Sequence, residues 1–269
     1  MELNLQTTSK ITWCPGCPNS QILVAFRKVV TDLVSENKLK AENIVCAVGI
    51  GCHGKISDYL NLNTFTALHG RPIPVMSGIK MANPDLCVIG FSGDGDSFSE
   101  GIEHLIHAAR RNSDIKLLIH DNQVFALTTG QATALSPKGF KGKSTPGGKI
   151  EEPLNPLSIV LTAGATFVAR TYAGDIVGTE KIMKAAIAHK GFAFVDIIQP
   201  CITFFDTRDY FKDKLYWLAE GNPRNDLNEA LNLVTNDDGR VPLGIFYDVS
   251  KETFEEGLGN IQIQISKSK

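Results

Sequence analysis

Long hydrophobic runs are missing from this sequence. No unbroken apolar stretch approaches the roughly 20 residues that cross a bilayer as a helix, which leaves no candidate membrane span. The opening stretch MELNLQTTSK lacks the basic-then-apolar order of a secretion signal, so a soluble, cytoplasmic protein is expected. An excess of either charge is missing too. The 27 Lys and Arg against 29 Asp and Glu leave a formal net charge of -2, too weak a field to draw nucleic acid or an anionic membrane. There is neither an internal repeat nor a low-complexity tract, which excludes solenoid and disordered classes.

What is present is ordinary globular material, arranged in a readable order. With 43% apolar residues, the 269-residue chain can bury a substantial core as a single domain. Ile22, Leu23, Phe26, Val29, Val30, Leu33 and Val34 recur at helical spacing and predict an amphipathic helix over 19–36. The runs at 43–50, 86–93, 115–122, 166–171 and 192–199 are short, continuously apolar and bounded by Gly, Pro, Asn or Asp, as buried parallel strands are. Helical stretches at 99–111, 157–164 and 175–190 separate them. Strand alternating with helix predicts an α/β fold with a doubly wound, mostly parallel sheet and ligands beyond the carboxyl ends of its strands. The Gly-, Pro- and Lys-rich segment 136–156 is expected to be a long surface loop contacting a ligand or partner. After about residue 205 a tail with weaker patterning follows, broken at 235–240 and ending in a strand candidate at 243–249.

The six cysteines are unlike a disulfide framework in a reducing compartment, so grouped ones suggest metal or redox chemistry. Cys14 and Cys17 form a Cys-x-x-Cys in the N-terminal segment 11–20. That spacing fits a cluster or metal site, a structural zinc, or a redox pair; no second tight Cys-x-x-Cys accompanies it. Cys46 and Cys87 sit inside apolar strands and are assigned to the core. Elsewhere the strand VIGFSG runs into Gly93-Asp94-Gly95-Asp96, and Asn122 ends the next strand 28 residues after Asp94. A carboxylate, an amide oxygen and a nearby carbonyl make a hard-oxygen set suited to Mg²⁺ beside a phosphate. The glycines allow close backbone approach, and a helix starting near Ser97 would aim its positive end at the phosphate. His104, His107 and His120 are assigned to packing and solvent.

Gly-Asp-Gly followed by this Asn resembles the diphosphate motif of thiamine diphosphate enzymes. Together with WCPGCPNSQIL (13–23), GIGCHGKI (49–56), LHGRPIPVMSGIKMANPDL (68–86), the 93–131 stretch and QPCITF (199–204), the chain is similar over about 11–250 to the β subunit of 2-oxoacid:ferredoxin oxidoreductases. It departs from that pattern at Pro18 and at Phe205. The resemblance implies a thiamine diphosphate-binding fold and a four-iron four-sulfur (4Fe-4S) cluster on Cys14, Cys17, Cys52 and Cys201. Mg²⁺ would lie on Asp94, Asn122 and the Val124 carbonyl. Thiamine diphosphate would meet Ile50, Gly51, Cys52 and His53, then His69, then Gly93, Gly95 and Asp96, then Ala126 and Leu127. Lys55 would contact the substrate carboxylate, and Leu127 would stand at the reacting end of the cofactor. The implied activity is oxidative decarboxylation of a 2-oxoacid (pyruvate, 2-oxoglutarate or a broad range) to acyl-CoA and CO₂, with electrons passing to ferredoxin. An α subunit, as αβ or (αβ)₂, would supply the rest of the site and most of the coenzyme A contacts. The residues alone also admit a non-redox thiamine-dependent subunit with structural zinc, or an electron-carrier module without thiamine.

Overall fold

The computed structural model describes residues 3–219, 224–236 and 238–259; the end of the tail and residue 237 of the 235–240 break lie outside them. Helix α1 (Asn19–Ser35) follows the Cys-x-x-Cys, and its apolar stripe, from Ile22 to Leu33, is buried. The chain then runs β1 (Ile44–Val48), β2 (Asn63–Thr66), α2 (Pro72–Ala82), β3 (Cys87–Gly93), α3 (Ile102–Arg111) and β4 (Ile115–Asp121). A small hairpin, β5 (Val124–Phe125) with β6 (Gln131–Ala132), precedes α4 (Pro156–Ala163), β7 (Phe167–Tyr172), α5 (Ile176–Ala188) and β8 (Ala193–Ile198). The last elements are α6 (Arg208–Lys212), β9 (Leu215–Trp217), α7 (Leu227–Thr235) and β10 (Val241–Asp248).

Eight strands form one sheet in the order β2-β1-β3-β4-β8-β7-β10-β9. It is parallel from β2 to β7, and β10 pairs antiparallel to β7. The predicted doubly wound α/β class is therefore the observed one. Every residue of β4 and β8 is buried, which is why these strands read as continuous rather than alternating runs. One face packs under α1 and α5, around Phe26, Phe91, Ile182 and Val195. The other packs under α2, α3, α4 and α7, around Met76, Leu105, Val160 and Phe194. Each of these large side chains contributes about 1.5–3 kcal/mol when fully buried. Local chemistry sets the helix ends. Asn155 and Asp175 cap α4 and α5 by accepting from the Ser158 and Gly178 N–H groups, and Gly164, at φ 101°, ends α4 in the left-handed region.

One element differs from expectation near the site. No α-helix starts near Ser97: Asp94 leads into a five-residue π-turn, Gly95–Ser99, and α3 begins only at Ile102. The 136–156 segment is the expected loop up to the start of α4 at Pro156, and it is tied to itself, with the Lys149 N–H donating to the Phe140 carbonyl and its ammonium to the Ser136 carbonyl.

One ion-pair cluster lies at the start of β4, around half-buried Asp114. Buried Lys80 and Lys116 both reach Asp114, at 2.7 and 2.6 Å. Burial acts to raise the Asp114 carboxyl, but the Lys116 charge and the hydrogen bonds outweigh it and hold it at about 2. A depressed carboxyl contributes stability that is complete above its unfolded value near 4 and is lost as pH falls through about 2. Asp114→Ala would leave two ammonium groups buried without their partner, so a loss of about 3–5 kcal/mol is expected at neutral pH. Urea unfolding of the variant measures it; a loss below about 1 kcal/mol would contradict the pairing.

Candidate cofactor site

The chain steps from β1 to β2 on one side and to β3 on the other, so the loops leaving β1 and β3 part at a topological switch point, where ligands of such sheets bind. Between them lies a cleft lined by Ile50, Gly51, Cys52, His53, His69, the 93–96 turn, Asn122 and 124–128. Every residue expected to meet thiamine diphosphate or Mg²⁺ borders this cleft. Close approach explains the glycines. A Cβ on Gly95 would stand 2.2 Å from the Phe125 ring, and one on Gly93 2.8 Å from His53 Nδ1.

Asp94 is 1% exposed. Its Oδ2 accepts from Thr133 Oγ1 at 2.5 Å, and burial nevertheless pushes the carboxyl up to about 7. A buried carboxylate without a neighbouring cation is costly, and a hard divalent ion would relieve that cost. Asn122, at the end of β4, turns its Oδ1 to the Val124 N–H at 3.1 Å. Asp94, Asn122 and Val124 thus border one cleft.

Asp96 behaves differently. Its carboxylate faces the surrounding loops, accepting from the Gly70 N–H at 2.7 Å, the Ile50 N–H at 3.3 Å and Ser92 Oγ at 2.6 Å. His69 Nδ1 lies 3.2 Å and His53 Nε2 3.6 Å from it. Burial acts to raise this carboxyl, and the His53 contact with the donors outweighs it, so Asp96 stays below the usual carboxylate range. A Cβ on Gly49 would stand 1.7 Å from Asp96 Oδ2, so that glycine leaves room for the carboxylate. Asp96 therefore ties the 49–53 and 69–70 loops to the end of β3.

A second cleft is lined by Cys14, Cys17, Cys52 and Cys201 together with Lys55, Gln199 and Thr203. Cys52, Asn122 and Ala126 border both clefts. Thr203 Oγ1 donates to Cys14 Sγ at 3.3 Å and Gln199 Nε2 to Cys17 Sγ at 3.8 Å. Burial pushes the Cys52 thiol up to about 11, with Lys55 opposing it, and also raises Cys17. Among the described residues, no three His, Cys, Asp or Glu side chains close to the spacing of a single metal ion. Lys55 stands on this side, its Nζ 3.3 Å from the Thr12 carbonyl, rather than in the diphosphate cleft. Cys46 is fully buried in the core and Cys87 packs against it.

Residues 49–197 match the family of thiamine pyrophosphate enzymes in their C-terminal TPP binding domain, and residues 201–262 match the family formed by the C-terminal part of pyruvate ferredoxin oxidoreductase β chains. The chain is 39% identical over 260 residues to the β subunit of 2-oxoacid:ferredoxin oxidoreductase 1 of Aeropyrum pernix, covering 91% of this chain and 80% of that one. The chain belongs to the β subunits of the 2-oxoacid:ferredoxin oxidoreductase family. This β subunit is also 32% identical over 250 residues to 2-oxoglutarate synthase subunit KorB of Methanocaldococcus jannaschii, covering 91% and 90% of the two chains. It superposes with a TM-score of 0.93, at 33% identity over 97% of its length and 89% of the other, on a 2-oxoglutarate:ferredoxin oxidoreductase from Magnetococcus marinus solved with 2-oxoglutarate, coenzyme A and succinyl-CoA bound. The β subunit therefore carries a thiamine diphosphate-binding domain and serves a 2-oxoacid oxidoreductase.

Several residues of the β subunit's site escaped the sequence. Thr133, the donor to Asp94, lies 39 residues away from it. Ser92 and Gln199 sit inside recognisable motifs, yet only the fold shows what they touch. His120 is buried as assigned, and its Nδ1 is 2.7 Å from Asn19 Oδ1, at the start of α1 beside Cys17.

Proposed function

We propose that this β subunit, joined to an α subunit as αβ or (αβ)₂, oxidatively decarboxylates a 2-oxoacid to acyl-CoA and CO₂ and passes the electrons to ferredoxin. One observation carries this reading: four cysteines from three separate stretches line one cleft whose wall, at Cys52, Asn122 and Ala126, is also the wall of the Asp94 cleft. Four thiols lining one cavity suit a 4Fe-4S cluster, which four thiolates saturate. The residues of the first cleft would hold thiamine diphosphate, which would supply the carbon chemistry, and Cys14, Cys17, Cys52 and Cys201 would hold a cluster able to take single electrons.

The chain's own residues do the placing. Asp94, Asn122 and the Val124 carbonyl would hold Mg²⁺, and Gly93 and Gly95 let the backbone approach the diphosphate. Ile50, Gly51, Cys52, His53, His69, Ala126 and Leu127 would line the rest of the cofactor. Through Asp96, the loops bearing Ile50 and His69 keep one geometry. Lys55 offers its ammonium to a substrate carboxylate from the cysteine side. At the cleft, Ile50 and Leu127 are 39% and 44% exposed, apolar surface suited to the α subunit that would complete the site and carry coenzyme A.

The test is anaerobic dye reduction by the assembled subunits over a panel of 2-oxoacids. Coenzyme A-dependent reduction with at least one of them, and none with the β chain alone, is expected. Release of CO₂ without any dye reduction would favour a non-redox decarboxylase instead.

A further inference from the structure

Gln199, just beyond the end of β8, is 1% exposed; it lines the cysteine cleft and touches Asn122, which borders both clefts. Asn122 Nδ2 donates to Gln199 Oε1 at 3.3 Å. Gln199 Nε2 donates in turn to the Pro200 carbonyl at 3.2 Å and to Cys17 Sγ at 3.8 Å. The Gln199 N–H bonds the Asp121 carbonyl at 2.7 Å, which fixes the backbone next to Asn122.

Both amides are oriented from outside the pair. The Val124 N–H can only donate, so it faces the oxygen of Asn122 at 3.1 Å and leaves that residue's nitrogen for Gln199. The Pro200 carbonyl can only accept, so it faces the nitrogen of Gln199 and leaves the oxygen for Asn122. The two constraints agree, and the relay runs one way: Asn122 N–H to Gln199 oxygen, Gln199 N–H to Cys17 sulfur.

We propose that Gln199 is a positioning residue for both cofactors at once. On one side it holds the Asn122 amide with its oxygen turned toward the cation position; on the other it supplies an N–H to the sulfur of Cys17. Partners that orient a metal ligand are typically worth about 10- to 100-fold in metal affinity. An N–H donated to a cluster thiolate stabilises its negative charge, and more so after reduction, so the cluster becomes easier to reduce. The inference rests on the proposed cluster and magnesium assignments.

Two variants of the assembled enzyme separate the two roles. Gln199→Glu keeps an oxygen facing Asn122 and loses the N–H to Cys17, whereas Gln199→Met has matching length and loses both. The readouts are the cluster midpoint potential, from an EPR-monitored redox titration, and the Mg²⁺ dissociation constant with thiamine diphosphate present, from calorimetry. Gln199→Glu is expected to lower the midpoint potential with Mg²⁺ affinity unchanged. Gln199→Met is expected to lower the potential and to weaken Mg²⁺ about 10- to 100-fold; being neutral, it also separates the lost donor from an added charge. Wild-type potentials in both variants, or wild-type Mg²⁺ affinity in Gln199→Met, would overturn the inference while leaving the proposed function intact. A wild-type assembly with no cluster signal at all would overturn both.

Discussion

Replacing Cys201 with serine is expected to strip the iron from the assembled protein while leaving its fold in place. The turn that carries Cys201 is built by backbone, with the Phe205 N–H donating to the Cys201 carbonyl at 3.0 Å and the Phe205 ring stacked edge-on against Phe140 at 5.0 Å. Serine keeps those contacts and changes only one buried sulfur, 8% exposed, to a hydroxyl. A cubane needs four thiolates and serine is a poor substitute for one of them. Iron and sulfide content should fall together, and coenzyme A-dependent dye reduction should drop at least about 100-fold, about 2.7 kcal/mol of lost transition-state stabilisation. Thermal unfolding of the same sample shows whether the fold has survived. A variant that keeps full iron would remove Cys201 from the ligand set.

Asp94→Asn should separate binding from stability. Thr133 can still donate to the amide oxygen, so the pocket keeps its shape and loses only its charge. With Mg²⁺ present, thiamine diphosphate binding is expected to weaken at least about 100-fold, about 2.7 kcal/mol by calorimetry. The free chain should respond in the opposite sense. In the wild type, burial pushes Asp94 up to about 7. A raised carboxyl costs nothing below its unfolded value near 4 and costs progressively more as pH rises through about 7. The asparagine variant should therefore gain stability over the wild type between about pH 5 and 8 when no cofactor is present, and lose that advantage once Mg²⁺ and thiamine diphosphate are saturating. Unchanged cofactor affinity in the variant would remove Asp94 from the metal site.

The parts of this architecture that were legible in the sequence are those with dense, one-sided or fully buried patterns. Helix α1 carries its stripe from Ile22 to Leu33, and β4 and β8 are buried along their whole length, so their apolar runs stand out. Strand β2 escaped because Asn63–Thr66 lies exposed at the sheet edge and has no alternation to read. Helix α2 escaped because its two prolines and Gly78 resemble turn chemistry, although Pro72 occupies the first helical turn, where proline is tolerated. The π-turn after Asp94 has no sequence signature distinct from an α-helix start, and it appears where the backbone must bend close to Phe125.

In the candidate site the residues proposed as ligands announce themselves by type: thiols at Cys14, Cys17, Cys52 and Cys201, and hard oxygens at Asp94 and Asn122. Their supports do not. Asp96, expected to meet the cofactor, borders its cleft, and its carboxylate is engaged by Gly70, Ile50 and Ser92, none of which its spacing indicates. Gln199 precedes Cys201 by two residues, and its bond to Asn122 spans 77 positions. Supporting contacts of this kind come from the meeting of loops at the carboxyl edge of the sheet, which a one-dimensional pattern does not encode.

The central claim is that carbon chemistry and single-electron transfer meet across the shared wall of Cys52, Asn122 and Ala126. Iron, sulfide and zinc analysis of the anaerobically purified assembly, read alongside its low-temperature EPR spectrum, tests it most directly. About four iron and four sulfide per β chain, with visible absorbance that bleaches on reduction and a signal from a reduced cubane, is the predicted result. A colourless protein holding one zinc per chain and no sulfide would contradict it.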